Sequence, residues 1–263
     1  MKNLTGFFVI LIAGLLLQAC SKKEENKIQA ENAQNLTFEN VKFQKTYKRC
    51  NPDSGACTFI RLTYDKLKDG NGKDMINNII WDSLLHSVNN NEIASTNLDT
   101  LASKFFAQYE NLKKEFPETS EQYIELIGRK ESESNKILTY SVTSFAFFGG
   151  AHPNTFLQYL NIYKDSPHCA TLNDVFKPGF ENTLNKIIEA KFRWKKKLDT
   201  SRPLTDGGLF EDKISYNTNF ALLGDKLRFY YNPYEIAPYA EGGIVIEIPL
   251  SELKDILNPD FLK

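Results

Sequence analysis

The stretch that decides the fold is FFGGAHPNT, residues 147–155, near the middle of the chain. It separates two runs, residues 136–148 and 156–163, that are rich in the β-branched and aromatic residues typical of strands. The two glycines permit backbone conformations closed to other residues, and Pro153 restricts the preceding His152 to extended geometry. We therefore predict that the stretch joins two neighbouring strands, and that it shapes the backbone, presents the His152 side chain, or does both.

Alternation of apolar and polar residues predicts an antiparallel hairpin before this junction, over residues 38–49 and 58–64. A further strand is predicted at residues 123–130. Between them, apolar residues recur every three or four positions over residues 73–89 and 98–116, which indicates two helices that each bury one face. Thr96 or Asn97 is placed to cap the second helix.

After the junction, the same patterns predict a helix over residues 181–198, a hairpin that turns at residues 224–225, and a last strand at 244–248. Strands cluster with the helices segregated between them, which is the pattern of the α+β class. We expect two subdomains, residues 38–150 and 151–263, each an antiparallel sheet packed with one or two helices.

The N-terminus carries the features of a targeting segment. Residues 1–19 combine a positive start with an apolar run too short for an ordinary membrane-spanning helix. The run ends in Leu-Gln-Ala-Cys at Cys20, which resembles the lipoprotein signal, so Cys20 is the expected lipidation site; an ordinary cleaved signal with a chance cysteine is the alternative. By the same resemblance, Ser21 favours the outer membrane. Residues 20–37 then form a flexible tether.

Composition excludes several classes of function. The net charge is −1 and no basic stripe is interleaved with aromatic residues, so we expect no nucleic-acid partner. No Gly-rich nucleotide loop or nucleophile motif is present, so no cofactor is expected. The three histidines show no local ligand spacing, and we expect no metal.

Cys50 and Cys57 flank a turn-rich loop, and in an exported protein this pair is expected to form a disulfide. A metal pair is the alternative, although the usual ligand spacing is missing. Cys169 has no partner in the sequence and is expected to be a half-buried free thiol.

Three motifs occur in order along the chain: GGAH at residues 149–152, LxDxF at 172–176 and PYEIAPYAxG at 233–242. Together they resemble the RsiV-like domain of unknown function over about residues 38–255. That domain forms the outer part of a lysozyme-sensing anti-sigma factor and accompanies the catalytic domain of PdaC-type peptidoglycan deacetylases. The resemblance implies an extracytoplasmic α+β module with a lysozyme-like protein or peptidoglycan as its ligand.

Two functional hypotheses follow. In the first, the chain is a non-enzymatic envelope lipoprotein that binds a protein or cell-wall ligand through His152, Tyr234, Glu235 and Tyr239; a tyrosine-rich core corner is the structural alternative for the loop. In the second, it is a peptidoglycan hydrolase or deacetylase in which His152 works with Asp174 and Glu235. His152 could equally have the purely structural role of pinning the turn. Trp194, among the cations of the third helix, could contact a glycan or a partner.

Overall fold

A computed structural model describes residues 35–88, 93, 95 and 97–261. The expected signal segment (1–19), the expected lipidation site Cys20 and the tether as far as residue 34 lie outside the described residues. None of the helices in the described part of the chain has both the length and the hydropathy to cross a membrane.

The first half of the described chain forms a five-stranded sheet with the order β1-β2-β3-β4-β5. Its strands are β1 (Thr37–Thr46), β2 (Phe59–Asp69), β3 (Tyr123–Glu133), β4 (Ile137–Phe147) and β5 (Asn154–Tyr163). All neighbours pair antiparallel except β2 and β3, which pair parallel. The α+β class is confirmed, but this sheet is mixed, because a helical crossover and not a hairpin connects β2 to β3.

Two helices form that crossover, α1 (Lys73–His86) and α2 (Leu98–Glu115). Asn97 caps α2 as predicted, since its side chain accepts hydrogen bonds from the backbone N–H groups of Asp99 and Thr100. The apolar faces of both helices pack on one side of the sheet, in a core of fully buried residues that includes Ile80, Phe105 and Leu126.

The second half of the chain forms a second layer. It contains the short helix α3 (Leu172–Val175), the helix α4 (Glu181–Lys196) and an antiparallel sheet of β6 (Phe220–Leu223), β7 (Lys226–Tyr231) and β8 (Ile244–Pro249). Leu184, Ile188 and Phe192, four residues apart along α4, are completely buried. They pack in a core with β7 and β8, so each sheet has its own core and its own helices.

The expected division at residue 150 falls between β4 and β5. These two strands pair with each other over ten positions, from Ile137 with Tyr163 to Ala146 with Asn154. The five-stranded sheet therefore extends past residue 150 to Tyr163.

Three asparagine side chains join β5 to the second layer, and we call them the asparagine bridge: Asn161, Asn219 and Asn232. Asn232 exchanges two hydrogen bonds with the backbone of Leu157, donating to its carbonyl (3.1 Å) and accepting from its N–H (2.8 Å). Asn219 accepts from the Tyr159 N–H (2.8 Å) and donates to the Leu157 carbonyl (2.7 Å).

Asn161, which is 1% exposed, lies on β5 itself, and its side chain bonds to the backbone of β6. It donates to the carbonyl of Phe220 (2.7 Å) and accepts from the N–H of Leu222 (3.1 Å), both on β6. Carboxamides supply a donor and an acceptor on one side chain, so they occupy backbone groups where β5 has no strand neighbour.

A half-buried carboxylate fixes the start of β1 to the end of β3. Glu133 accepts hydrogen bonds from Lys164 (2.8 Å), Lys130 (2.6 Å) and the backbone N–H of Leu36 (3.1 Å). Burial alone would raise the pKa of the Glu133 carboxyl, but these hydrogen bonds and the nearby ammonium charge outweigh it and lower the pKa.

The predicted disulfide between Cys50 and Cys57 is present and closes the loop between β1 and β2. Cys169 is a free thiol, but it is exposed and not half-buried; it forms an isolated antiparallel bridge with Ile162 of β5.

Candidate binding site

The junction between β4 and β5 adopts the unusual backbone that its glycines predict. Gly149 and Gly150 have φ values of 94° and 106°, in the left-handed region that disfavours residues with a Cβ atom. Both glycines are exposed, and a Cβ at Gly150 would meet no atom within 4 Å, so the backbone conformation and not crowding requires glycine there. The turn brings His152 to the start of β5.

His152 lies against two tyrosines from a loop more than eighty residues away in sequence. Its ring stacks on Tyr239 with 3.7 Å between ring centroids and 13° between the planes. Its Nε2 lies 3.1 Å from the hydroxyl of Tyr234. We call His152, Tyr234 and Tyr239 the aromatic cluster.

Further hydrogen bonds hold this arrangement. The His152 Nδ1 lies 3.3 Å from the carbonyl of Pro153, and the Tyr239 hydroxyl donates to the same carbonyl at 3.1 Å. Both ring nitrogens of His152 thus have a polar partner within the protein.

Tyr234 is the unusual member of the cluster. Its φ is 69°, a left-handed conformation that costs a bulky residue about 1–2 kcal/mol. Its side chain is also 55% exposed, so burial offsets little of that cost. The loop holds the conformation, since the Tyr234 N–H donates to the carbonyl of Ala237 (3.1 Å), a buried residue.

Glu235, the neighbour of Tyr234, is exposed, but its carboxylate is used within the loop. One oxygen accepts from the side chain of Asn217 (2.7 Å) and the other from the backbone N–H of Asn232 (2.8 Å). Among the described residues, Glu235 makes no hydrogen bond with the His152 ring. This carboxylate therefore shapes the loop that carries Tyr234.

Asp174 has a local structural role. Its carboxylate accepts from the backbone N–H (2.7 Å) and hydroxyl (2.8 Å) of Thr171, in a capping box at the start of α3. It makes no recorded contact with His152 or Glu235 within the described chain. The three residues proposed for catalysis are thus each engaged with different partners.

A row of neighbouring aromatic rings lies on the outer face of the five-stranded sheet. Phe59, Tyr123 and Phe147 lie on three adjacent strands with centroid separations of 5.7 and 5.9 Å. Burial, with smaller effects of Glu125 and Tyr239, raises the pKa of Tyr123.

A small cleft lies on the other side of the junction. Its volume is about 190 Å³. It is lined by Gln108, Asn111, Leu112, Glu115, Gln122 and Phe148. Gln122 donates to the carbonyl of Phe148 at 2.7 Å, which ties the cleft wall to the junction. The cleft contains no member of the aromatic cluster.

Over residues 35–88 and 97–261 and the two isolated described positions, no group of three or more His, Cys, Asp or Glu residues could hold a metal ion. The aromatic cluster itself offers ring faces for stacking and hydroxyls for hydrogen bonding.

The residues that position the cluster were not predicted from the sequence. Asn217, Asn219 and Asn232 hold the loop and β5 through side-chain bonds to backbone, which leave no periodic pattern. A signal was available for Asp174, since Thr171 followed three residues later by an acid is a capping-box sequence.

Comparison with known proteins locates one family match. Residues 173–251 match the family described as "Protein of unknown function (DUF3298)". The matched segment includes Tyr234, Glu235 and Tyr239. It begins at residue 173 and so does not include His152. No curated protein matches the chain.

Two solved structures have a similar fold. A member of the DUF3298 family from Bacteroides fragilis aligns with a TM-score of 0.70 and 21% identity, covering 88% of this chain and 98% of its own. A DUF3298 family protein from Pseudomonas aeruginosa aligns with a TM-score of 0.63 and 19% identity, covering 87% and 97%. The chain thus contains a DUF3298 domain of unknown function and shares its overall fold with two DUF3298 family proteins.

Proposed function

We propose that this chain is a non-enzymatic cell-envelope lipoprotein, anchored to the outer membrane through Cys20, whose folded module binds a protein or cell-wall ligand at the aromatic cluster. The Leu-Gln-Ala-Cys sequence supports the anchor. The resemblance to the RsiV-like domain supports a lysozyme-like protein or peptidoglycan as the ligand.

The observation that carries the proposal is the conformation of Tyr234. A bulky residue persists in a left-handed conformation only where the surrounding structure holds it there, and such residues are concentrated at functional sites. Here more than half of the side chain faces solvent, and its hydroxyl is oriented by His152. An exposed aromatic residue with a fixed orientation loses little further entropy on binding, which favours a recognition role.

The alternative, a hydrolase or deacetylase that uses His152, is not favoured by the contacts described. Asp174 caps a helix and Glu235 braces a loop, so neither carboxylate is directed at the imidazole. Measuring whether the protein converts the same ligands to products distinguishes the two functions.

Calorimetry of the chain from Ser21 onwards with a lysozyme and with soluble peptidoglycan fragments tests the proposal. We expect binding of one of the two, without turnover. Tyr234→Ala should weaken that binding at least about 30-fold, as for a residue at the centre of an interface.

Met75→Ala is the matched control, because Met75 is 54% exposed but lies on α1 in the first half of the chain. It should leave affinity unchanged. If neither ligand binds, or if both variants bind equally well, the aromatic cluster is not the binding site. Peptidoglycan turnover that is lost in His152→Ala would establish the enzymatic alternative.

A further inference from the structure

Trp194 is the most exposed large apolar side chain in the described structure, at 81%. It lies near the end of α4, two residues after the fully buried Phe192. Two residues correspond to a rotation of about 200° around a helix, so Trp194 points away from the core. Its indole contributes nothing to the packing of α4.

Positively charged residues precede and follow Trp194 along α4. Three of the cations of α4 are paired with carboxylates: Lys191 with Glu252, Arg193 with Glu189, and Lys196 with Glu241.

Three exposed lysines, Lys186, Lys195 and Lys197, have no carboxylate partner among the described residues. Lys195 donates to a neutral carbonyl, that of Val245 (2.9 Å). Lys195 therefore lies on the side of α4 that meets β8. We call Lys186, Trp194 and Lys197 the Trp194 face, and its two lysines have no ion pair among the described residues.

The helix dipole explains only part of this face. A lysine at the C-terminal end of a helix, such as Lys197, interacts favourably with the dipole. Lys186 lies in the second turn of a helix that begins at Glu181, where a cation gains nothing from the dipole. Neither the dipole nor the core accounts for an exposed indole, so the face is suited to a partner outside the chain.

We propose that the Trp194 face docks the folded domain against anionic phospholipid headgroups. Indole side chains favour the boundary between headgroups and acyl chains, where the ring is apolar and its N–H remains hydrated. Each lysine close to an anionic surface strengthens attraction about fivefold. Two signals together, an acyl anchor and a basic patch, hold a protein on a membrane more stably than one.

The Trp194 face is connected to the loop that carries the aromatic cluster, so docking of the face would also affect the cluster. Lys196 on α4 bonds to Glu241 at 2.6 Å, two residues after Tyr239 of the cluster. If the anchor at Cys20 is present, the fifteen residues from Cys20 to residue 34 can span at most roughly 50 Å, which keeps the folded domain close to the membrane. Docking would then fix the orientation in which the cluster meets its ligand.

Vesicle binding of the unlipidated chain from Ser21 onwards tests the proposal. The sequence contains two tryptophans, and Trp81→Phe leaves Trp194 as the only one. With vesicles rich in phosphatidylglycerol we expect a blue shift of Trp194 emission and protection from an aqueous quencher. With phosphatidylcholine alone we expect neither. Binding should weaken as salt shortens the range of the attraction.

Co-sedimentation of the protein with both tryptophans present gives a second measurement that does not depend on the Trp81 variant. Lys186→Gln with Lys197→Gln should reduce the binding constant about 25-fold. The matched control is Lys42→Gln with Lys68→Gln, which removes the same charge from exposed positions on β1 and β2 and should change it less than about twofold.

Three results would overturn the proposal: no binding to anionic vesicles, equal binding to neutral ones, or equal losses in the two double variants. An unshifted Trp194 emission in protein that does sediment would show that another surface makes the contact, and would also overturn it.

Discussion

The left-handed conformation of Tyr234 can be measured as a free energy. Replacing Tyr234 by Ala or by Gly removes the ring and the bond to His152 in both cases, so those losses cancel when the two variants are compared. Ala keeps the cost of the 69° φ, about 1–2 kcal/mol, whereas Gly does not. Gly loses about 0.5–1 kcal/mol more backbone entropy on folding than Ala. Tyr234→Gly should therefore be more stable than Tyr234→Ala, by about 0.75 kcal/mol at the middle of these ranges and at most about 1.5 kcal/mol.

The same pair of substitutions at Lys186 provides the reference. Lys186 is exposed within α4, and at a helical position Gly is about 1 kcal/mol less stable than Ala. The Gly variant should therefore be more stable than the Ala variant at position 234 and less stable than the Ala variant at position 186. Urea titration measures the free energies of unfolding, and in a domain of this size each kcal/mol shifts the melting temperature by about 2–4 °C. If Gly is less stable than Ala at both sites, Tyr234 is not strained, and the main argument for its role in binding is lost.

Three further predictions concern the scaffold. Asn161→Ala should lower the free energy of unfolding by about 2–4 kcal/mol in urea titrations, because it strands two β6 backbone groups, while Asn154→Ala at an exposed position should cost less than about 0.5 kcal/mol. Glu133→Gln should destabilise the protein at pH 7, but the deficit should shrink as the pH falls. The pKa of Glu133 in the folded chain lies below its unfolded value of 4.5, so its stabilisation is present above that value and is lost as the pH falls through the folded pKa. A deficit that is unchanged in acid would contradict the hydrogen-bonded carboxylate. Replacing Cys50 and Cys57 together by Ser should cost roughly 2–3 kcal/mol, the loop-closure value for a short loop, and wild-type protein treated with reductant should match the double variant.

Much of the fold could be predicted because its signals are local. The alternating residues around Cys50 and Cys57 gave the β1–β2 hairpin, and the apolar stripe after Asn97 gave α2 together with its cap. The parallel pairing of β2 with β3 was not predicted, because the paired residues, such as Phe59 and Tyr123, are far apart in sequence and carry no mark of their relative direction. For the same reason, the sequence did not show that β5 belongs to the five-stranded sheet and not to the second subdomain.

The candidate site shows the same limit. His152 could be singled out because its glycine and proline neighbours restrict the backbone, and Tyr234 and Tyr239 because they lie in a distinctive loop. The three rings meet because Asn232 holds this loop against β5. Its contact is with Leu157, a residue 75 positions away in the sequence. Grouping His152 with Asp174 and Glu235 rested on residue type alone, and each carboxylate has a closer backbone or side-chain partner.

The asparagine bridge also bears on how the protein behaves at high concentration. A strand at the margin of a sheet offers unpaired N–H and carbonyl groups on which a second molecule can build, and this is a common start of aggregation. Leu157 and Tyr159 would present such groups on β5, but Asn219 and Asn232 occupy them with carboxamides, which cannot propagate a sheet. The side chains that align the loop bearing Tyr234 thus also occupy backbone groups on which a second copy of the chain could pair.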